Sequence, residues 1–251
     1  MKRLLFLVSL LLPCQAMATP SSTFWTPMSL DLQPYGLLHV GVDNYFTVGR
    51  ELNDGAGAFP TDAGLTIGVV PGSRLQAEIG VDFFQPADHP WAFNFKLGAP
   101  ERTLSKQAPA LEVGMFGLGT GPGTNLNVLY AIVGRSFPPI GRLSVSPYTG
   151  NGSVLRSASG EEAKSGIMVA YDRGLIAAKT KGSDSFQRVV LAADYASGNN
   201  VIGGGGVALY YYFSSTISLV TGPVWFNEKG LNGENKWSIQ LDINQPRLFG
   251  H

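Results

Sequence analysis

Three histidines are the side chains of this sequence to weigh first for catalysis or metal binding. His39 alone falls within a stretch of alternating character, on the row that points away from its apolar face. A catalytic histidine needs a serine nucleophile within hydrogen-bond reach, yet the chain contains no G-x-S-x-G. His89 sits in an expected loop and His251 is the last residue, so no spacing suits a metal ion. The glycine runs GLGTGPG at 117–123 and GGGG at 203–206 lack the lysine and hydroxyl of a phosphate loop and do not complete G-x-G-x-x-G. They are expected to relieve crowding or let strands bend. No cofactor, metal or enzymatic activity is expected.

The carboxylates and bases form a more organised pattern. GVDNY at 41–45 and GVDFF at 80–84 are near repeats, and AADY at 192–195 is a looser echo. Each puts an aspartate, Asp43, Asp82 or Asp194, near the end of its segment. Arg74, Arg142 and Arg188 stand at the starts of such segments, and Lys96 at the end of another. Together with Glu78 and His39, these residues are the candidates to line a polar interior, acidic at one end and basic at the other.

What would position them is a set of strands. In RLQAEIGVDFF, residues 74–84, Leu75, Ala77, Ile79, Val81 and Phe83 alternate with Arg74, Gln76, Glu78, Gly80 and Asp82. The closing KWSIQLDIN repeats the pattern. A period of two over many segments means strands rather than helices. Turn signals such as Pro71-Gly72-Ser73 and Gly121-Pro122-Gly123 separate them. The spacing predicts strands at 36–47, 63–70, 74–84, 91–98, 109–118, 125–136, 142–150, 165–173, 187–196, 203–213, 217–226 and 236–244. Connections 48–62, 151–164 and 227–235 are long and polar, whereas 71–73, 137–141 and 214–216 are tight. The connections 99–108 and 174–186 break this rule, as longer turns or as a miscounted hairpin.

Composition narrows the setting. Charged residues are 14% of the chain, against about a quarter in soluble proteins. Lysine plus arginine balance aspartate plus glutamate at 18 each, so nothing favours a nucleic-acid partner. Met1-Lys2-Arg3, the apolar run Leu4–Leu12 and Ala16-Met17-Ala18 predict a secretory signal over 1–18, cleaved after Ala18, leaving 19–251 as one domain. The run is too short for a membrane-spanning helix, which needs about 20 residues. Cys14 lies inside that segment, so no disulfide is expected.

An exported chain with bulky apolar rows on nearly every strand, and with Phe83, Phe84, Trp91, Tyr148, Tyr171, Tyr195, Trp225, Phe226 and Trp237 near strand ends, fits a bilayer better than a soluble sandwich. Backbone amides in hydrocarbon must all be paired, so the sheet should close. On AEIGVDFF, VLAADYASGNN, VALYYYF and KWSIQLDIN, together with the signal segment, the chain resembles the small bacterial outer-membrane β-barrel proteins. That resemblance implies an all-β, closed antiparallel up-and-down transmembrane barrel of about twelve strands. Its partners would be the lipid bilayer, the outer-membrane assembly machinery and small solutes. Many such barrels end on an aromatic residue, whereas here Gln245–His251 follow the last strand.

Three functions are compatible with this reading. The first is a narrow passive channel for small polar or ionic solutes. The second is a closed barrel whose loops 48–62 and 151–164 meet a partner. The third is an interfacial lipid-modifying enzyme, which would need an outward nucleophile and base not found here. Inward charges either line an open lumen or pair across it and plug it.

Overall fold

The computed structural model describes residues 22–48, 59–85, 87–119, 121, 124–180, 185–245 and 248–249. The expected signal segment, most of loop 48–62 and part of GLGTGPG lie outside them. Twelve strands form one closed antiparallel barrel in which each strand pairs with its sequence neighbours and β1 pairs with β12. They are β1 Leu38–Thr47, β2 Thr61–Gly68, β3 Gln76–Gln85, β4 Trp91–Ala99, β5 Ala110–Leu118, β6 Val128–Phe137, β7 Gly141–Thr149, β8 Ser165–Lys179, β9 Ser185–Ala196, β10 Gly204–Tyr212, β11 Ile217–Phe226 and β12 Lys236–Asn244. A single-turn helix, α1 Lys229–Asn232, lies between β11 and β12.

Alternation dictates this closure. Odd residues of β6 (Leu129, Val133, Phe137) are exposed, and even ones (Val128, Tyr130, Ile132) are buried. Every strand puts large apolar residues outside, for example Val42, Leu65, Ile79, Val113, Val145, Val169, Leu209 and Ile239. Phe46, Trp91, Tyr195, Trp225 and Trp237 ring the exterior at the end carrying the longer loops. Phe137, Tyr211 and Phe213 ring it at the opposite, turn end. An apolar band between two aromatic girdles is the exterior of a membrane-spanning barrel. No helix among the described residues is long and apolar enough to cross a membrane.

Three expectations are corrected. Phe84, Tyr148 and Phe226 do not join a girdle. Each shares parity with inward neighbours, so Tyr148 and Phe226 are buried and Phe84 faces a cavity. Most of the described part of 174–186 is strand: β8 runs on to Lys179 past register shifts at Gly174/Ile176 and Ile176/Ala177, and pairs with an early start of β9 at Ser185. Those shifts break the period of two, which hid the extension. Arg74 is exposed on the turn before β3, because the wall begins only at Gln76 and a side chain beyond the rim meets water.

Candidate functional site: a strap and a chamber in the lumen

The segment that precedes β1 threads the lumen. Residues 22–35 contain Pro27 and Pro34, which cannot donate ladder hydrogen bonds, and they add no strand. The wall supplies their partners instead. At the loop end the Asp194 carboxylate accepts the backbone N–H groups of Phe24 (3.0 Å), Trp25 (2.9 Å) and Thr26 (2.7 Å) and the Thr26 hydroxyl (2.8 Å). Trp25 Nε1 donates to the Ile202 carbonyl at 2.9 Å, Gln240 Nε2 donates to the Phe24 carbonyl at 3.2 Å, and the Tyr210 hydroxyl donates to that of Thr23.

Further down, Ser144 donates to the Met28 carbonyl at 3.1 Å and Lys96 Nζ to the Ser29 carbonyl at 3.0 Å. Arg142 grips Asp31 with two bonds of 2.7 and 2.6 Å while its Nε reaches Asp172 at 2.8 Å. The Gln33 N–H meets Glu78 at 2.7 Å. The strap thus crosses the lumen from β7 to β3–β4 before Gly36, at φ +75°, turns it into β1. A left-handed φ of this kind favours glycine. Gly134 and Gly206 make room for it, since a Cβ there would strike Leu30 and the Phe24 ring respectively. Phe24, Met28, Leu30 and Leu32 are buried, so an apolar core lies inside the barrel.

The strap fills one side only. Inward positions of β5–β11 carry bulky Tyr130, Tyr148, Met168, Tyr210 and Tyr212. Those of β1–β3 carry Gly41, Gly64 and Gly80, with Gly41 directly opposite Gly64. The missing side-chain volume leaves a cavity of about 730 Å³. It runs from Phe59, Asp88 and His89 at the loop end down to His39, Thr66 and Glu78, is bounded by strap residues Phe24–Pro27, and reaches past them to Tyr130 and Met168.

The cavity is tiered. Nearest the loops, Trp25, Tyr45 and Phe59 pack ring on ring, with centroids 5.7 to 5.9 Å apart. Below them stand three carboxylates on adjacent strands. Asp43 is directly opposite Asp62, and Asp82 is opposite Gly64, one step lower. Asn94 donates to Asp82 at 2.6 Å. No ion pair is formed by these three among the described residues, and Asp62 Oδ1 is shut off from solvent with no hydrogen-bond partner.

The predicted site residues divide accordingly. Asp43, Asp82, Glu78, His39 and Lys96 line the cavity. Asp194 and Arg142 hold the strap instead. Arg188 lies in the wall of the lumen over the Phe186 ring, 5.9 Å from its centroid. His39 contacts Asn244 Oδ1 at 3.1 Å and Asp242 Oδ1 at 3.4 Å. The turn end, expected to be basic, instead pairs Lys96 and Arg142 with carboxylates. Lys96 Nζ lies 3.7 Å from Glu78 and 3.8 Å from Glu112, and Arg142 sits between Asp31 and Asp172. Sequence reasoning missed Asp62, which fell one residue before the predicted start of its strand. It also missed the strap, which has no periodicity of its own. Among the described residues no group of three His, Cys, Asp or Glu side chains could hold a metal ion.

Solved structures similar to this chain are barrels, and the fold rests on the strand pairing rather than on them. The COG4313 outer membrane channel from Pseudomonas putida F1 is 11% identical, with 86% of this chain and 98% of that one covered at a TM-score of 0.49. The outer membrane phospholipase A from Escherichia coli is 14% identical, with 88% and 96% covered at 0.45. A mutant Rh. blastica porin is 9% identical at a TM-score of 0.40, with 73% of this chain covered. The match spans only 55% of that porin's length. No protein-family model matches the chain, and no curated protein does.

Proposed function

We propose that this protein is a narrow bacterial outer-membrane channel for small polar or ionic solutes, in which the cavity is the loop-side chamber and the strap is the constriction. The observation that carries this reading is the unequal filling of the lumen: the cavity opens along β1–β3, where Gly41, Gly64 and Gly80 point inward, while the strap and large side chains such as Tyr210 and Tyr212 pack much of the rest. A barrel serving only as scaffold has no need to leave one sector empty while it packs the rest. Rings of side-chain charge set ion preference in pores, and Asp43, Asp62 and Asp82 would draw cations into the chamber. The protein performs no chemistry on this reading. Passage requires the strap to shift where it crosses between Arg142 and Glu78.

The test is single-channel recording of the folded full chain in planar bilayers under a salt gradient. Discrete steps with a reversal potential favouring cations are expected, with that preference falling in the Asp43→Asn/Asp62→Asn variant. Folded protein that gives no steps would overturn the proposal.

One observation favours a closed interaction barrel as the second reading. The β7–β8 connection is itself folded. Leu155 is buried at the barrel mouth, and Arg156 Nη1 donates to the Gly160 carbonyl at 2.7 Å. Deleting 156–162 would abolish partner capture on that reading and leave conductance untouched on the first.

A further inference from the structure

The chamber offers two chemistries in sequence, an aromatic tier and then a carboxylate tier. Together they define a ligand more narrowly than charge alone. A hydrated inorganic ion has no use for Trp25, Tyr45 and Phe59. A neutral sugar would stack there but bring no positive charge to Asp43, Asp62 and Asp82, crowded carboxyl groups that an ammonium would allow to ionise together, and an anion would work against that.

The nearest built-in cations are engaged elsewhere. Lys96 is held by Glu78, Glu112 and the Ser29 carbonyl. Lys236 Nζ lies 5.2 Å from the centroid of the Phe59 ring and donates to Thr47 at 2.9 Å. That ammonium shows that the aromatic tier tolerates positive charge on a ring face. It also directs a second ammonium away from itself, down to the carboxylates. Asp62 Oδ1 lacks a hydrogen-bond partner, a shortfall that a small turn of the carboxyl towards a donor in the chamber would make good. Pockets of a few hundred cubic ångströms, mostly apolar with a few placed polar groups, suit small organic molecules, and 730 Å³ lies in that range.

We infer that the chamber binds an amphipathic organic cation, an amine bearing an aromatic or compact apolar group, with its ammonium at Asp43, Asp62 and Asp82 and its apolar part against Trp25, Tyr45 and Phe59. The inference rests on the channel reading for the route by which the ligand enters, and it names the solute class of that channel.

The test uses the full chain folded in detergent, titrated calorimetrically with 2-phenylethylamine. Methylamine serves as the ringless cation and phenylacetate as the anion of similar shape. Saturable binding of 2-phenylethylamine is expected, about tenfold or more tighter than methylamine, with none for phenylacetate. Asp43→Asn/Asp62→Asn, isosteric and harmless to the ladder, should weaken it about tenfold or more through lost charge-assisted contacts. Phe59→Leu should bring 2-phenylethylamine towards methylamine. Equal binding of amine and carboxylate, or no saturable binding of the amine, would overturn the inference. Single-channel recording separates the two claims. Steps that 2-phenylethylamine leaves unblocked, with no calorimetric binding, sink the inference and spare the channel. Binding without any steps sinks the channel and spares the site.

Discussion

Replacing Asp194 with alanine attacks the strap at its strongest attachment. Three backbone N–H groups, of Phe24, Trp25 and Thr26, and the Thr26 hydroxyl converge on one buried carboxylate. A buried donor left without an acceptor costs about 1–3 kcal/mol, so a strap that stayed docked over alanine would lose about 3–9 kcal/mol over three amides. The alternative is for residues 22–27 to release. Release forfeits the burial of Phe24, about 2–3 kcal/mol. It also gives up the bonds from Gln240, Tyr210 and the Trp25 indole, about 1 kcal/mol each.

The two costs are comparable, so Asp194→Ala is expected to move the docked and released forms by about 3–5 kcal/mol relative to the parent, a population change on the order of 10² to 10⁴. Amide exchange at Phe24, Trp25 and Thr26, followed in detergent-folded protein, is the readout. Their protection should collapse while that of β9, whose ladder to β8 and β10 is untouched, persists. Unchanged protection at the three amides would refute the argument that Asp194 anchors the strap.

Gly206→Leu drives a side chain into the space of the Phe24 ring. It should expel the upper strap while the barrel stays closed, seen as a red-shifted Trp25 emission with unaltered β-sheet circular dichroism. Ile79→Arg places a charge on the lipid face near the middle of β3 and should destabilise the barrel by about 2–4 kcal/mol in urea unfolding from liposomes. Ser73→Arg, on the exposed turn just outside the wall, should stay within about 0.5 kcal/mol of the parent.

Much of the barrel was legible because a membrane wall imposes a local rule. Each strand must present apolar side chains on alternate positions, and β11 and β12 were predicted at their observed bounds from that rule alone. Parity also placed Glu78, Asp82 and Lys96 inside. Where the rule lapsed, the reading lapsed. Gly174 and the register shifts after it concealed the end of β8. Tyr148 shares parity with inward Ser144 and Ser146, yet its position near a strand end suggested a girdle. The strap was illegible for a different reason. Its partners lie far along the chain, Asp194 168 residues beyond Thr26, and a segment that lines a lumen obeys no period. Gly41, Gly64 and Gly80, which vacate the chamber, carry no signal of their own in the sequence. Only the register, which sets Gly41 against Gly64, turned them into a cavity.

The central claim is that the N-terminal strap lies inside the membrane barrel. Its most direct test is cysteine accessibility. In a Cys14→Ser background, Met28→Cys should resist a membrane-impermeant maleimide in the folded protein, since Met28 is 1% exposed, and should react fully after urea unfolding. Ser73→Cys should react in both states. Labelling of residue 28 in the folded barrel as fast as residue 73 would contradict the account.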